Sequence, residues 1–497
     1  MEAAISAILG ELASRSMSFL VDKYLKRTVA PSKEESVNNL QRLLLRVRVI
    51  VEEAEERRIT NQAMLHQLSI LRKEMYRGYY TLDTCRSQGA AAAIDDQVSR
   101  HAFTLSKSNS AKRVCFYSGR SQSVNELQQV LRSLEAIITD VNEFVLFLGS
   151  CPRLCRQPYS VYLVLDKCMF GRQVEMERVI SFLLQPECHG TQKPCVLPII
   201  GRARAGKTTL VEHACNDERV RAHFSQIVFF TQGDLEDGSL EETLRDGGVV
   251  RYQNRGALDA ERVLIIAELG GGRYSKRLEE NINEDLLGKL YEIRIASGSK
   301  IIVTSRSDKI ASFGRTEPPL KLEFLTQEAY WYLFKAYAFG SSTDAADHPK
   351  LVSIAMEMSR ECGGCFLAAN IFPRLLRSNP CPRFGSSVLA AIKRLKRNHY
   401  LYTAADHRAD YQEPALCNPR VSPNCMVLDD YEIPDSVHSS TAPRLSVLDV
   451  LFGSARPRGR FDALAWKSQV PPHYSYIYSC EIQRPKCKVV RKKRTGG

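Results

Sequence analysis

The run Val196-Leu197-Pro198-Ile199-Ile200, then Gly201-Arg202-Ala203-Arg204-Ala205-Gly206-Lys207-Thr208, then Thr209-Leu210-Val211-Glu212-His213-Ala214 decides the fold. An apolar run, a loop matching GxxxxGK[ST] and a helix-like segment follow in that order. This is the strand, loop and helix context of a phosphate-binding P-loop. Successive backbone N–H groups of such a loop wrap phosphate oxygens, and the helix N-terminus adds its positive dipole end. Gly201 and Gly206 frame the loop. Lys207 is placed to meet the β- and γ-phosphates, and Thr208 to offer its hydroxyl to Mg²⁺.

Working outward, further short apolar runs alternate with polar or helical stretches: Ile227 to Phe230, Val263 to Ile266, and Ile301 to Val303. Continuous apolar strands separated by crossovers predict a parallel sheet covered on both faces. The run Arg262 to Ala267 ends in Glu268, an acid that could hold Mg²⁺. Leu269 follows it, so a second acid to orient an attacking water is missing. The run Lys300 to Ser305 ends in Arg306, whose guanidinium could reach a γ-phosphate. The plainer readings are a strand-end carboxylate and a surface arginine.

N-terminal to this region the period changes. Leu40, Leu43, Leu44, Val47, Ile50, Val51 and Ala54 keep the spacing of one helix face, opposite Arg42, Arg46, Glu52 and Glu56. Leu65, Leu68, Leu71, Met75 and Tyr79 mark a second helix, and Ile5, Ile8, Leu9 and Leu12 an earlier one. Residues 86–120, with Ala90 to Ala93 and a Ser/Lys-rich stretch, read as a loop. A last helix is expected to start near Ser123, capped with Glu126, and to end near Gly149. The prediction is a bundle of about four helices. Helix returns from 325 to about 400. Beyond 405 the many prolines predict an irregular tail with no more than short strands.

Composition fits this layout. The chain has 497 residues, 69 Lys+Arg against 56 Asp+Glu, and net charge +13. About three domains are expected at this length. No run approaches a membrane span. Met1 to Ser16 lacks the basic start of a secretory signal. The fifteen cysteines then read as reduced thiols, and Cys362-x-x-Cys365 has no second pair to complete a metal site. Part of the positive charge lies in the acid-free stretch Lys486 to Arg494, either a solvated tail or a contact for an anionic partner or an import receptor.

Together these residues resemble the plant NB-ARC proteins, the nucleotide-binding core of intracellular disease-resistance receptors. Phe170-Gly171-Arg172 is similar to the segment that opens the family's domain near the adenine. Thr208-Thr209-Leu210 matches its paired threonines, and His223 to Val228 its "HF" strand. Gly298 to Arg306 is near-identical to "GSKIIVTTR", and Cys362 to Ala368 is a degenerate "CGGLPLA". The N-terminal helices resemble the family's Rx-like coiled-coil domain, in grass style. There are departures. Ala203 and Arg204 replace loop glycines, Phe366 replaces a proline, and no "MHD" follows residue 370. No leucine-rich array is visible. Tyr79 to Asp83 replaces an acidic motif, and its one acid is expected to weaken any intramolecular clamp.

The resemblance implies a helical domain over 1–150, a P-loop nucleotide-binding domain over 160–320, a helical subdomain over 321–400 and a basic tail over 401–497. It implies ADP or ATP as ligand, bound by Phe170, Gly171, Arg172, Gly201, Gly206, Lys207, Thr208 and Thr209. Mg²⁺ would lie near Thr208 and Glu268, with Arg306 sensing the γ-phosphate. The implied role is a cytoplasmic, nucleotide-dependent switch in plant innate immunity, at most a slow ATPase, with a nuclear pool if the tail directs import. Protein partners would bind through the helical bundle, by self-association or with full-length receptors. Nucleic acid is not expected as a partner. The alternative is a truncated, nucleotide-independent interaction protein.

Overall fold

A computed structural model describes residues 32–101, 110–153, 170–186, 195–202, 204–231, 250–251, 262–269, 296–313, 317–340, 349–403, 425–434, 443, 445–452, 455–467 and 474–482. The expected helix at Ile5 to Leu12 and the basic run Lys486 to Arg494 lie outside them. The chain divides into two compact units. One contains Met1–Leu183, Phe324–Cys365 and Phe372–Pro382. The other contains Leu184–Glu323, Phe366–Ile371 and Arg383–Gly497.

In the first unit, α1 (Lys33–Glu55) starts at Ser32, whose hydroxyl accepts the Glu35 N–H at 3.1 Å. The predicted apolar face is the buried one: Leu40, Leu43, Leu44, Val47, Ile50, Val51 and Ala54. It packs on α2 (Gln62–His101) and α3 (Ser110–Asp140). Fully burying a leucine contributes about 2 kcal/mol, so this seam dominates the bundle. At its foot the buried Arg57 donates to the carbonyls of Leu148, Gly149 and Cys151. It thereby satisfies carbonyls at the C-terminal end of α4 (Asn142–Ser150).

Two expectations change here. The stretch 86–120 is largely helix: α2 runs to His101 and α3 begins at Ser110. The reason is composition, since Ala90 to Ala93 carries the highest helix propensity and no proline interrupts either arm. Ser123 is therefore an interior residue of α3 and does not start a helix.

The helices α5 (Gln173–Leu184), α8 (Gln327–Phe339) and α9 (Pro349–Cys362) complete most of the first unit. α8 and α9 pack on α2 and on each other. Trp331, Tyr330 and Phe334 of α8 are fully buried.

The second unit holds a six-stranded sheet in the order β3-β2-β4-β5-β1-β6. Its strands are β1 (Cys195–Gly201), β2 (Gln226–Thr231), β3 (Val250–Arg251), β4 (Val263–Leu269), β5 (Lys300–Ser305) and β6 (Leu320–Leu322). All pairings are parallel except that of the edge strand β3. The four predicted strands are β1, β2, β4 and β5. Val196, Ile200, Val228, Phe230, Ile265, Ala267, Leu269, Ile301 and Val303 share one core cluster with Ile310. The helices α6 (Lys207–Cys215) and α7 (Glu218–His223) follow β1.

Beyond the sheet come α10 (Phe366–Ser378) and α11 (Pro382–Thr403). The tail read as irregular contains a three-stranded antiparallel sheet in the order β7-β9-β8. It is formed by β7 (Cys425–Pro434), β8 (Arg460–Lys467) and β9 (Tyr474–Ile482), with the short helix α12 (Val447–Phe452) between β7 and β8. Among the described residues Ala463, Ser475, Ile477, Tyr478 and Cys480 are buried in it, with Val447 and Val450 of α12 also buried. The prolines that obscured it lie in the connections and at the end of β7, where a missing N–H is tolerated. Among the described residues no helix is long and apolar enough to cross a membrane.

Candidate functional site: the P-loop and its neighbours

The strand β1 delivers the loop at the carboxyl edge of the parallel sheet, the usual place for a ligand in such folds. The register fixes its neighbours. Ile200 pairs with Ser305 of β5, and Ser305 pairs with Leu269 of β4. The P-loop, Glu268 and Arg306 therefore leave three adjacent strands at the same edge.

Gly201 has a steric reason to be glycine. A Cβ there would lie 2.7 Å from the Leu322 carbonyl oxygen of β6. Gly206 has a conformational one: its φ is +89°, and it is the N-cap of α6. A residue with a Cβ is strained in that region. Leu210 N–H closes the first helical bond onto the Gly206 carbonyl at 2.9 Å.

Lys207, at the first position of α6, is 8% exposed. Its ammonium donates to the carbonyls of Gly201 at 2.8 Å and Arg202 at 3.1 Å. The charge is thus held inside the loop by the loop's own backbone. Thr208 Oγ1 donates to Glu268 Oε1 at 3.2 Å. Two residues sixty positions apart, singled out from sequence as a pair near a divalent cation, are in contact. Leu269, next along β4, is 1% exposed and lies in the sheet core. Thr209 follows on α6 and is half-buried.

Arg204 stands in the loop with φ +62°. Its Nε–H donates to the Tyr476 hydroxyl of β9 at 3.0 Å, and its guanidinium lies 5.7 Å from that ring's centroid. The left-handed backbone at Arg204 was not read from the sequence. Nothing in the sequence pointed to Tyr476. Ala203 lies outside the described residues.

Phe170, Gly171 and Arg172 belong to the first unit. Phe170 is 4% exposed and stacks at 6.1 Å on Tyr332, next to Tyr76. Gly171 has φ +69°. Arg172, also buried, pairs with Glu175 at 3.1 Å. In the same unit Asp83, expected to weaken a clamp, is 3% exposed and accepts from both Trp331 and Lys335. Phe366 opens α10.

Around α6 and α7 two histidines are shifted. Burial lowers His213 to about 4. Burial, with Arg262 and Lys300 nearby, also lowers His223.

A Gly-framed loop between a buried parallel strand and a helix, with its lysine, its threonine and a facing acid, is the P-loop NTPase fold, and that fold implies nucleotide binding. No protein-family model matches the chain. It is 25% identical over 386 residues to the disease resistance protein RGA2 of Solanum bulbocastanum, across 72% of this chain and 38% of that one. It is 27% identical over 224 residues to the disease resistance protein RPM1 of Arabidopsis thaliana, across 41% of this chain and 23% of that one. The chain is thus distantly homologous to plant disease-resistance proteins of the NB-ARC, coiled-coil type, and spans well under half the length of these relatives. Among solved structures, C. elegans PCH-2 overlaps 45% of this chain at 13% identity and a TM-score of 0.31, covering 68% of its own. Nothing about function follows from so loose an overlap.

Proposed function

We propose that this protein is an ADP- or ATP-binding switch in plant innate immune signalling. The observation that carries the reading is the contact of Thr208 with Glu268 at 3.2 Å, one residue from the buried Lys207. In this reading residues 160–320 are the nucleotide-binding domain, 321–400 its helical subdomain, 1–150 the signalling bundle and 401–497 a tail.

The donor set fits the ligand. Lys207 and the N–H groups opening α6 would hold the phosphates, with Gly201, Gly206 and Thr209 shaping the cradle. Thr208 and Glu268 are two oxygen ligands suited to Mg²⁺, which would neutralise phosphate charge when bound. Arg306 would report the γ-phosphate. With Leu269 in place of a second acid, hydrolysis would be slow. The clamp of Asp83 on Trp331 and Lys335 supports a restrained resting state of the helical bundle. The reading places the protein in the cytoplasm, with a nuclear pool if Lys486 to Arg494 directs import.

The test is nucleotide content. The purified full chain is denatured and the released nucleotide identified by chromatography, with Lys207→Ala alongside. The expected result is near-stoichiometric ADP in the wild type and none in the variant. An empty wild-type protein that also fails to bind added ADP or ATP overturns the reading.

One observation favours a second reading, a nucleotide-independent interaction protein. Leu146 and Phe147 of α4 are 72% and 61% exposed, and Leu45 of α1 is 63% exposed. Exposed apolar side chains on a helical bundle suit a protein partner. A cell-death readout that survives Lys207→Ala but is lost in Leu146→Ser/Phe147→Ser favours this alternative.

A further inference from the structure

Arg204 is an unexpected residue for its place. Among the described residues it is the non-glycine at positive φ, in the middle of the loop that would wrap phosphate. A guanidinium there is a natural phosphate partner, since its planar fork pairs with phosphate oxygens. In this structure it is engaged otherwise. Its Nε–H goes to the Tyr476 hydroxyl at 3.0 Å, and its Cζ lies 5.7 Å from the ring centroid.

Tyr476 is held in turn by the C-terminal sheet. It stands on the central strand β9, paired with Glu432 of β7 and Trp466 of β8. Tyr478 meets it edge-on, with centroids 5.8 Å apart and planes at 85°. The phenol is therefore held in place by the sheet.

We infer that Tyr476 and the phosphates of a bound nucleotide compete for Arg204, so that the C-terminal sheet sets the nucleotide affinity of the P-loop. Turning the fork toward phosphate breaks both Tyr476 contacts. Tyr476 is a positioning residue, acting on the ligand only through Arg204. The inference rests on the nucleotide-binding reading given above.

The experiment is a titration of the full chain with a fluorescent mant-ADP and Mg²⁺. Tyr476→Phe keeps the ring and the strand but removes the hydroxyl; it should bind about 3-fold more tightly. Tyr476→Ala also removes the ring 5.7 Å from the guanidinium and should bind about 10-fold more tightly. With Arg204→Gly, changing Tyr476 to Phe should leave the Kd unchanged, because the coupling is gone. Binding Mg²⁺-ADP should also speed amide exchange across residues 474–482 in the wild type. An unchanged or weaker Kd in Tyr476→Phe, or an equal shift without Arg204, overturns the inference while nucleotide binding stands. No binding by wild type, Tyr476→Phe and Arg204→Gly alike overturns the nucleotide reading, and the inference with it.

Discussion

The carboxylate of Asp83 accepts the indole N–H of Trp331 at 2.9 Å, and both side chains are out of solvent. The Lys335 ammonium reaches the same carboxylate at 2.8 Å. One acid on α2 thus satisfies two donors on α8, one charged and one neutral. Nearby, Arg360 of α9 donates to the Tyr80 hydroxyl at 2.8 Å and lies over its ring. Helix α2 is therefore tied to α8 and α9 by polar contacts as well as by packing.

Removing that acid should be costly. Asp83→Ala leaves a buried indole N–H and an unpaired ammonium, a loss of about 3 kcal/mol. The expected outcome is a lower Tm and faster amide exchange over 327–339. Asp83→Asn keeps an acceptor for Trp331 and loses only the charge, so it should fall between. If Asp83→Ala has the wild-type exchange pattern, the clamp contributes nothing.

Stability should fall on mild acidification because of His213. Its folded-state value of about 4 lies below the usual 6.5. Between those values the unfolded chain binds more protons, so stability is whole above pH 6.5 and declines as pH falls toward 4. By pH 5 the loss is about 2 kcal/mol. His223 is lowered as well and acts in the same direction. Chemical unfolding at pH 7 and pH 5 should show a smaller drop for His213→Gln than for wild type.

Gly201 should tolerate no side chain. The Leu322 backbone oxygen lies 2.7 Å from where a Cβ would be, and backbone cannot swing aside as a side chain can. Gly201→Ala must displace β6 or the start of the P-loop. A Tm lower than wild type, together with weakened mant-ADP binding, is expected. An unchanged Tm with intact binding counts against the steric account.

The parallel sheet was legible because buried strands write themselves as apolar runs: Val196 to Ile200 and Ile301 to Val303 could hardly be anything else. Lys207, Thr208 and Glu268 were legible because a motif and a strand end fix where they stand. The helices through 86–120 were not, since a run of alanines and small polar residues carries no amphipathic period, only propensity. The C-terminal sheet was hidden by prolines in its connections. Asp83 with Trp331, and Arg204 with Tyr476, join residues about 250 or more positions apart. No local pattern announces such pairs, which exist only once the chain is folded.

The left-handed backbone at Arg204 has one more consequence. An arginine pays about 1 kcal/mol there that a glycine would not. A search for more heat-stable variants would accordingly favour Arg204→Gly, and in doing so would sever the loop from Tyr476. Relieving the backbone at this one position and keeping the loop joined to the C-terminal sheet are therefore opposed demands.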